Sequence, residues 1–102
     1  MESEKVLRHV VLLQFKDGTT EEQLADVGRA FMALPARITE ISRLEWGSAI
    51  NDGASYTRCL MVTCRSETDL QAYENHPDHQ AIPAIFGDLV AGAIVLNYWT
   101  NL

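Results

Sequence analysis

The sequence is poor in positive charge. Lysine and arginine together number 8 against 14 aspartates and glutamates, for a net charge of −6 over 102 residues. Binding to nucleic acid depends on clusters of Lys and Arg that neutralise phosphates, and here the cations are spread along the chain. We therefore expect no nucleic-acid partner.

Long apolar runs are also missing. The longest one near the N-terminus is Val10–Leu13, whereas a membrane-spanning helix needs about 20 residues. No charged leader followed by a long apolar stretch comes before it. These absences predict a cytoplasmic protein that has no membrane partner.

Cysteine is scarce, and the familiar cofactor motifs are absent. Cys59 and Cys64 lie five positions apart in a strand-like segment, so their side chains point to opposite faces and cannot bridge each other. We expect both to be reduced core residues. The sequence has no glycine-rich phosphate loop, nucleophile elbow or dinucleotide fingerprint, which predicts that no cofactor is used.

The residues that are present predict one globular domain. Hydrophobic residues make up 47% and charged residues 22%, the usual mixture for such a domain. Hydrophobic periodicity and turn residues predict strands at Leu7–Phe15, Arg43–Gly47, Tyr56–Arg65 and Ala93–Thr100, and helices from Thr20 to Pro35, over Glu67–Asn75 and over Asp78–Gly87. Thr20 with Gln23, and Ser66, are typical of helix N-caps.

The order of these elements predicts an α+β fold. The pattern βαββαβ is that of the ferredoxin-like fold, a four-stranded antiparallel sheet with its helices on one face. The first strand is apolar on both faces, and the helices can cover only one. We expect a second copy to cover the other, giving a homodimeric α/β barrel through stacked sheet faces.

The stretch Tyr73–His79 concentrates groups that can transfer protons. Pro77 must interrupt a helix there, which lets the turn aim side chains into one small volume. We predict His79 as a base, Tyr73 as a hydrogen-bond donor and His9 as a third catalytic residue. The predicted pocket is completed by substrate-binding residues on the sheet and helices: Arg58, Val11, Leu13, Phe31, Leu60, Ile82 and Val95, with Met32 beside them.

Each of these residues also has a purely structural interpretation. His76 is more often only a helix cap, with its ring bonded to a free carbonyl. Tyr73 and His9 could be core residues with ordinary hydrogen bonds, and Arg58 could pair with Glu45 across the sheet. The spacing His76-x-x-His79, with His9 as a third ligand, is one that zinc tolerates, but the intervening proline argues against it, so no metal is expected.

Several short motifs, in the right order over nearly the whole chain, resemble the stress-responsive A/B barrel (Dabb) family. They are Arg8-His9-Val10-Val11-Leu12, Phe15-Lys16-Asp17-Gly18, Glu45-Trp46-Gly47, Tyr56-Thr57, Tyr73, His76-Pro77 with His79, and Asn97-Tyr98. The resemblance implies a ferredoxin-like fold that dimerises through its sheets. In a polyketide cyclase of this family the catalytic tyrosine and histidine match Tyr73 and His79. Position 58 carries arginine where the family often has histidine.

Three functional hypotheses follow. The first is a cofactor-independent lyase, isomerase or cyclase that acts on a small, partly apolar, anionic molecule held by Arg58. The second is a non-catalytic stress-response protein that assembles or sequesters a ligand. The third is an enzyme similar to the dimeric-barrel monooxygenases.

Overall fold

The computed structural model describes residues 4–102, and the ferredoxin-like arrangement is confirmed. The elements are β1 Lys5–Phe15, α1 Glu21–Met32, β2 Arg43–Ser48, β3 Arg58–Cys64, α2 Glu67–Asn75, α3 Pro77–Phe86 and β4 Val90–Asn101, with short 3-10 turns at Leu34–Ala36 and Gly87–Leu89. The sheet order is β2-β3-β1-β4, and every neighbouring pair is antiparallel.

The boundaries differ from the predicted ones mainly at the ends of strands. The fourth strand begins at Val90 instead of Ala93, because residues 90–92 continue the pairing with β1 across a register shift at Gln14/Phe15. The third strand begins at Arg58 instead of Tyr56. The first helix ends at Met32, and Pro35 lies in the 3-10 turn that follows it.

The predicted caps fix where the helices begin. The Thr20 hydroxyl accepts a bond from the Gln23 amide at 3.1 Å, and the Gln23 side chain accepts one from the Thr20 amide at 2.9 Å. This reciprocal pair satisfies two amides that the first turn would leave without partners. Ser66 caps α2 with a single bond, which its hydroxyl accepts from the Asp69 amide at 3.1 Å.

The two faces of the sheet have different surroundings. Strand register places His9 beside Val62 and Asn97, and Val11 beside Leu60 and Val95, so these side chains share the face on which the helices pack. Buried side chains form the core between the sheet and the helices: Leu7, Val27, Phe31, Leu34, Ile38, Ile41, Leu60, Val62, Cys64, Leu70, Tyr73 and Ile82.

The opposite face, which we call the outer face, is not covered by helices. On β4 it leaves Ile94, Leu96 and Tyr98 exposed, next to Val10 and Leu12 of β1 in the strand register. Cys59 also belongs to this face and is only partly buried, so the prediction that it is a core residue was wrong. Within residues 4–102, no helix is long and apolar enough to cross a membrane.

Gly28 allows a close contact beneath α1. A Cβ atom at this position would lie 2.6 Å from Nε1 of Trp46, well inside the contact distance of two heavy atoms. The Trp46 ring also stacks on Phe31, with ring centroids 5.7 Å apart and planes 20° apart. The glycine therefore lets an aromatic pair pack between α1 and β2.

Candidate active site

A cavity of about 280 Å³ lies between the sheet and the helices. Its lining is almost entirely apolar apart from His9, Tyr73 and His79. The lining residues are His9, Val11 and Leu13 of β1, Val27 and Phe31 of α1, Leu60 of β3, Tyr73 of α2, His79, Ile82, Pro83 and Phe86 of α3, Gly87, and Val90 of β4. An apolar cavity with a few converging polar groups is the general form of a small-molecule site.

The Tyr73 ring lies close to both imidazoles. Its ring centroid is 4.5 Å from that of His79 and 6.0 Å from that of His9. The structure therefore brings together the three residues that the sequence predicted as a catalytic group.

The Tyr73 hydroxyl is an unusual feature of this cavity. The side chain is fully buried, and the hydroxyl has no hydrogen-bond partner among the residues that the structure describes. Burial, with smaller effects from Cys64 and Glu74, raises the pKa of Tyr73 well above its ordinary value. The phenol is therefore protonated at neutral pH, and its O–H can donate to a group that enters the cavity.

One hydrogen bond indicates which nitrogen of the neutral His79 ring carries the proton. Its Nδ1 lies 3.0 Å from the backbone carbonyl of Glu74. A carbonyl oxygen can only accept, so Nδ1 must carry the proton in this contact. The neutral ring then has its lone pair on Nε2, and His79 lines the cavity. A neutral Nε2 with a free lone pair can accept a proton from a bound molecule.

His9 is fixed by a residue on the neighbouring strand. Its Nδ1 lies 2.7 Å from Oδ1 of Asn97, since β1 and β4 place the two residues directly opposite each other. The amide oxygen accepts from an Nδ1–H group, so Nε2 of His9 is also left without a proton in the neutral ring. His9 is only 6% exposed, which makes such a partner necessary.

Two predicted binding residues do not line the cavity. Arg58 forms an ion pair with Glu21, with 3.2 Å between Nη2 and Oε2, and also donates to the carbonyl of Thr57. Its predicted structural partner, Glu45, instead pairs with Arg43. Val95 shares the helix side of the sheet but remains 55% exposed, and Met32 is exposed as well.

His76 does not line the cavity, although it lies only three residues before His79. Its Nδ1 accepts a bond from the Asp78 amide at 3.1 Å. The prediction of a capping role is consistent with this contact, but the predicted partner was wrong, because the ring accepts from an amide instead of donating to a carbonyl. Within residues 4–102, no group of three or more His, Cys, Asp and Glu side chains could hold a metal ion.

Sequence reasoning missed some of the lining and the partner of His9. Pro83 and Phe86 of α3 and Val90 at the start of β4 also line the cavity. Asn97 was noticed only as part of a family motif. The available signal was its position in a strand that pairs with β1, but assigning it to His9 requires the register between residues 88 positions apart.

Curated relatives cover nearly the whole chain. The chain is 28% identical over 99 residues to olivetolic acid cyclase from Cannabis sativa, which covers 94% of this chain and 89% of that protein. It is 26% identical over 100 residues to the stress-response A/B barrel domain-containing protein HS1 from Arabidopsis thaliana, covering 95% and 92% of the two chains.

A solved structure supports the same fold. A dimeric ferredoxin-like protein of unknown function from Thermobifida fusca superposes with a TM-score of 0.81 at 28% identity, over 92% of this chain and 90% of that one. The family model of the stress responsive A/B barrel domain matches residues 7–100. This chain is therefore a member of the stress responsive A/B barrel (Dabb) family.

Proposed function

We propose that the cavity binds a small, largely apolar carbonyl compound and that the protein catalyses proton transfer on it without a cofactor. The observation that carries this proposal is that the Tyr73 side chain lines the cavity while its buried hydroxyl has no partner within residues 4–102. Leaving such a group unpaired costs about 1–3 kcal/mol. A ligand oxygen that accepts from this hydroxyl would recover that free energy.

The proposed reaction begins with the removal of a proton next to the carbonyl. Nε2 of His79 takes the proton from the α-carbon, and the electrons of the C–H bond form the C=C bond of an enolate. The negative charge develops on the carbonyl oxygen, to which Tyr73 donates a hydrogen bond. The imidazolium then returns a proton to carbon, or the enolate attacks a second carbonyl and the imidazolium protonates the alkoxide that forms. Formation of the enolate is the step that a lyase, isomerase or cyclase would share.

The proposed ligand is uncharged at the site of reaction. The prediction of an anionic ligand rested on Arg58, which pairs with Glu21 outside the cavity. The residues that line the cavity include neither lysine nor arginine. A volume of about 280 Å³ lies near the lower end of the range of about 300–1,000 Å³ typical of ligand pockets, so the proposed ligand is small.

Similarity to olivetolic acid cyclase supports an enzyme of this kind. The similarity covers the whole region that carries the three residues, but it does not identify the substrate of this chain. The test therefore uses a simple probe, acetophenone, which has an aromatic ring, a carbonyl group and exchangeable α-hydrogens.

The experiment measures deuterium incorporation into the methyl group of acetophenone in D₂O by NMR. We expect wild-type protein to accelerate exchange, His79→Ala to abolish the acceleration, and Tyr73→Phe to reduce it by roughly 10²–10³-fold, the usual cost of removing one donor to an oxyanion. Ethylbenzene, which lacks the carbonyl, should bind more weakly. Binding of acetophenone without exchange would refute proton transfer and favour a protein that only sequesters its ligand.

We also propose that the protein is a homodimer in which two outer faces pack together. The exposed fractions of Ile94, Leu96 and Tyr98 are 48%, 60% and 39%, and an apolar strand face of this extent usually marks an interface. The dimeric state of the Thermobifida fusca protein supports a second copy as the occupant.

The dimer is tested by light scattering after size-exclusion chromatography. Met61→Glu places a charge on the outer face and should give a monomeric mass or an unfolded protein. Ile85→Glu is the matched control, because Ile85 is 69% exposed on α3, outside the sheet. Met61→Glu protein that is folded and keeps the dimeric mass would contradict stacking of the outer faces.

A further inference from the structure

His76 lies at the junction of α2 and α3 and is a cap residue of both helices. It ends α2 and begins α3, with φ −66° and ψ 135°. Its Nδ1 accepts a hydrogen bond from the Asp78 amide. A ring nitrogen that accepts carries no proton, so the neutral His76 ring is protonated on Nε2, whereas the neutral His79 ring is protonated on Nδ1.

The carbonyl of Glu74, near the end of α2, binds the ring of His79 in α3. In an uninterrupted helix the Asp78 amide would donate to this carbonyl, four residues earlier. Here the carbonyl accepts from Nδ1 of His79 at 3.0 Å instead. The extended backbone at His76, which Pro77 favours, takes the Asp78 amide away from this oxygen, and the His76 ring accepts that amide in the first turn of α3.

We propose that His76 is a positioning residue for His79. By accepting the Asp78 amide, it caps the first turn of α3, in which His79 lies, and so holds the His79 ring where its Nδ1–H donates to the Glu74 carbonyl. The role of His79 as the base belongs to the proposed function, on which this inference rests. The relation between the two rings can be measured without any substrate.

The first measurement uses the wild-type protein. Long-range ¹H–¹⁵N correlation spectra near pH 8.5 distinguish the two neutral forms of each imidazole. We expect His76 as the Nε2–H form and His79 as the Nδ1–H form. Finding both rings in the same form would overturn the proposal, whatever the variants show.

The second measurement compares two substitutions of His76. In His76→Ala the Asp78 amide loses its side-chain acceptor and the first turn of α3 loses its cap, so the contact between Nδ1 of His79 and the Glu74 carbonyl should weaken and the Nε2–H population of His79 should rise. His76→Asn supplies another side-chain acceptor at a helix N-cap and should keep the Nδ1–H form. An unchanged His79 spectrum in folded His76→Ala protein would refute the proposal.

Ser66→Ala is the matched control for loss of a cap. Ser66 accepts from the Asp69 amide at 3.1 Å, as His76 does from the Asp78 amide, but it lies at the other end of α2. Ser66→Ala should leave the His79 form unchanged. The same change in both variants would mean that helix loosening alone is responsible, and the positioning role would be lost. Should His76→Ala fail to fold, the wild-type spectra and His76→Asn still decide the question.

Deuterium exchange of acetophenone separates this inference from the proposed function. We expect His76→Ala to reduce exchange by roughly tenfold or more, the lower part of what a positioned base contributes, and His76→Asn to stay near the wild-type rate. If wild-type protein catalyses no exchange, the proposed function fails, but opposite forms of the two rings would still support the positioning of His79 by His76. If exchange is fast and the protonated nitrogen of His79 is the same in His76→Ala as in wild type, only the positioning role of His76 fails.

Discussion

Replacing Tyr73 with phenylalanine should stabilise the ligand-free protein. The Tyr73 side chain is fully buried, and its hydroxyl has no partner among the described residues. A buried hydroxyl without a partner costs about 1–3 kcal/mol. Phenylalanine keeps the ring and its contacts with His9 and His79 but removes the oxygen. The free energy of unfolding should therefore rise by about 1–3 kcal/mol.

The expected gain is large enough to measure by thermal unfolding. For a domain of this size, about 1 kcal/mol corresponds to a rise of about 4–8 °C in the melting temperature, so Tyr73→Phe should melt at least about 4 °C above wild type. Tyr98→Phe is the control, because the Tyr98 side chain is 39% exposed. Substitutions at such surface positions usually change stability by no more than about 0.5 kcal/mol.

A ligand should reverse the order of the melting temperatures of wild type and Tyr73→Phe. With acetophenone in excess, a carbonyl that accepts from Tyr73 stabilises wild-type protein through binding to the folded state, and the Phe variant should gain less. A melting temperature of Tyr73→Phe equal to or below that of wild type, without ligand, would refute the reasoning. It would show that the hydroxyl already has a partner in solution and is not kept free for a ligand.

Two further predictions concern packing and protonation. Gly28→Ala should destabilise the protein by roughly 1–3 kcal/mol in urea unfolding, because the new Cβ would lie 2.6 Å from Trp46 Nε1. This overpacking outweighs the gain in helix propensity of about 1 kcal/mol. Gly87→Ala is the control and should not destabilise the protein, because a Cβ at that position has nothing within 4 Å. Burial raises the pKa of the Cys64 thiol from 9.0 to about 11. Because the unfolded chain loses this proton at a lower pH than the folded protein, the free energy of unfolding should be at its full value below pH 9 and fall by up to roughly 3 kcal/mol toward pH 11. Cys64→Ala should show a smaller loss over this interval, and an equal loss would contradict this assignment.

The fold could be predicted because its signals are local. Helix caps such as Thr20 and Ser66, the break at Pro77 and the alternation along β1 each depend on residues within a few positions of one another. The order of the elements then leaves few topologies that respect short connections. The start of β4 was harder to predict, because it depends on pairing with β1 across a bulge at Gln14/Phe15.

The part of the site that could be predicted is the part that follows from strand alternation and the order of the elements. Strand alternation placed His9, Val11 and Leu13 toward the helices, and eight of the ten predicted site residues line the cavity: His9, Val11, Leu13, Phe31, Leu60, Tyr73, His79 and Ile82. Arg58 shares that face, but a long side chain can reach several partners, and Glu21 on α1 lies within its reach. Side-chain pairing between distant segments is not encoded in the periodicity of either one.

The interruption at His76-Pro77 is what allows Tyr73 and His79 to meet. In a continuous α-helix two residues six positions apart are separated by about 9 Å along the axis and by about two-thirds of a turn around it, so their side chains point in different directions. Here α2 ends at Asn75 and α3 begins at Pro77, and the two ring centroids are 4.5 Å apart. The same interruption frees the Glu74 carbonyl from its helical partner and gives it to the His79 ring. The break at His76-Pro77 therefore accounts for the proximity of the two rings and frees the carbonyl that binds Nδ1 of His79.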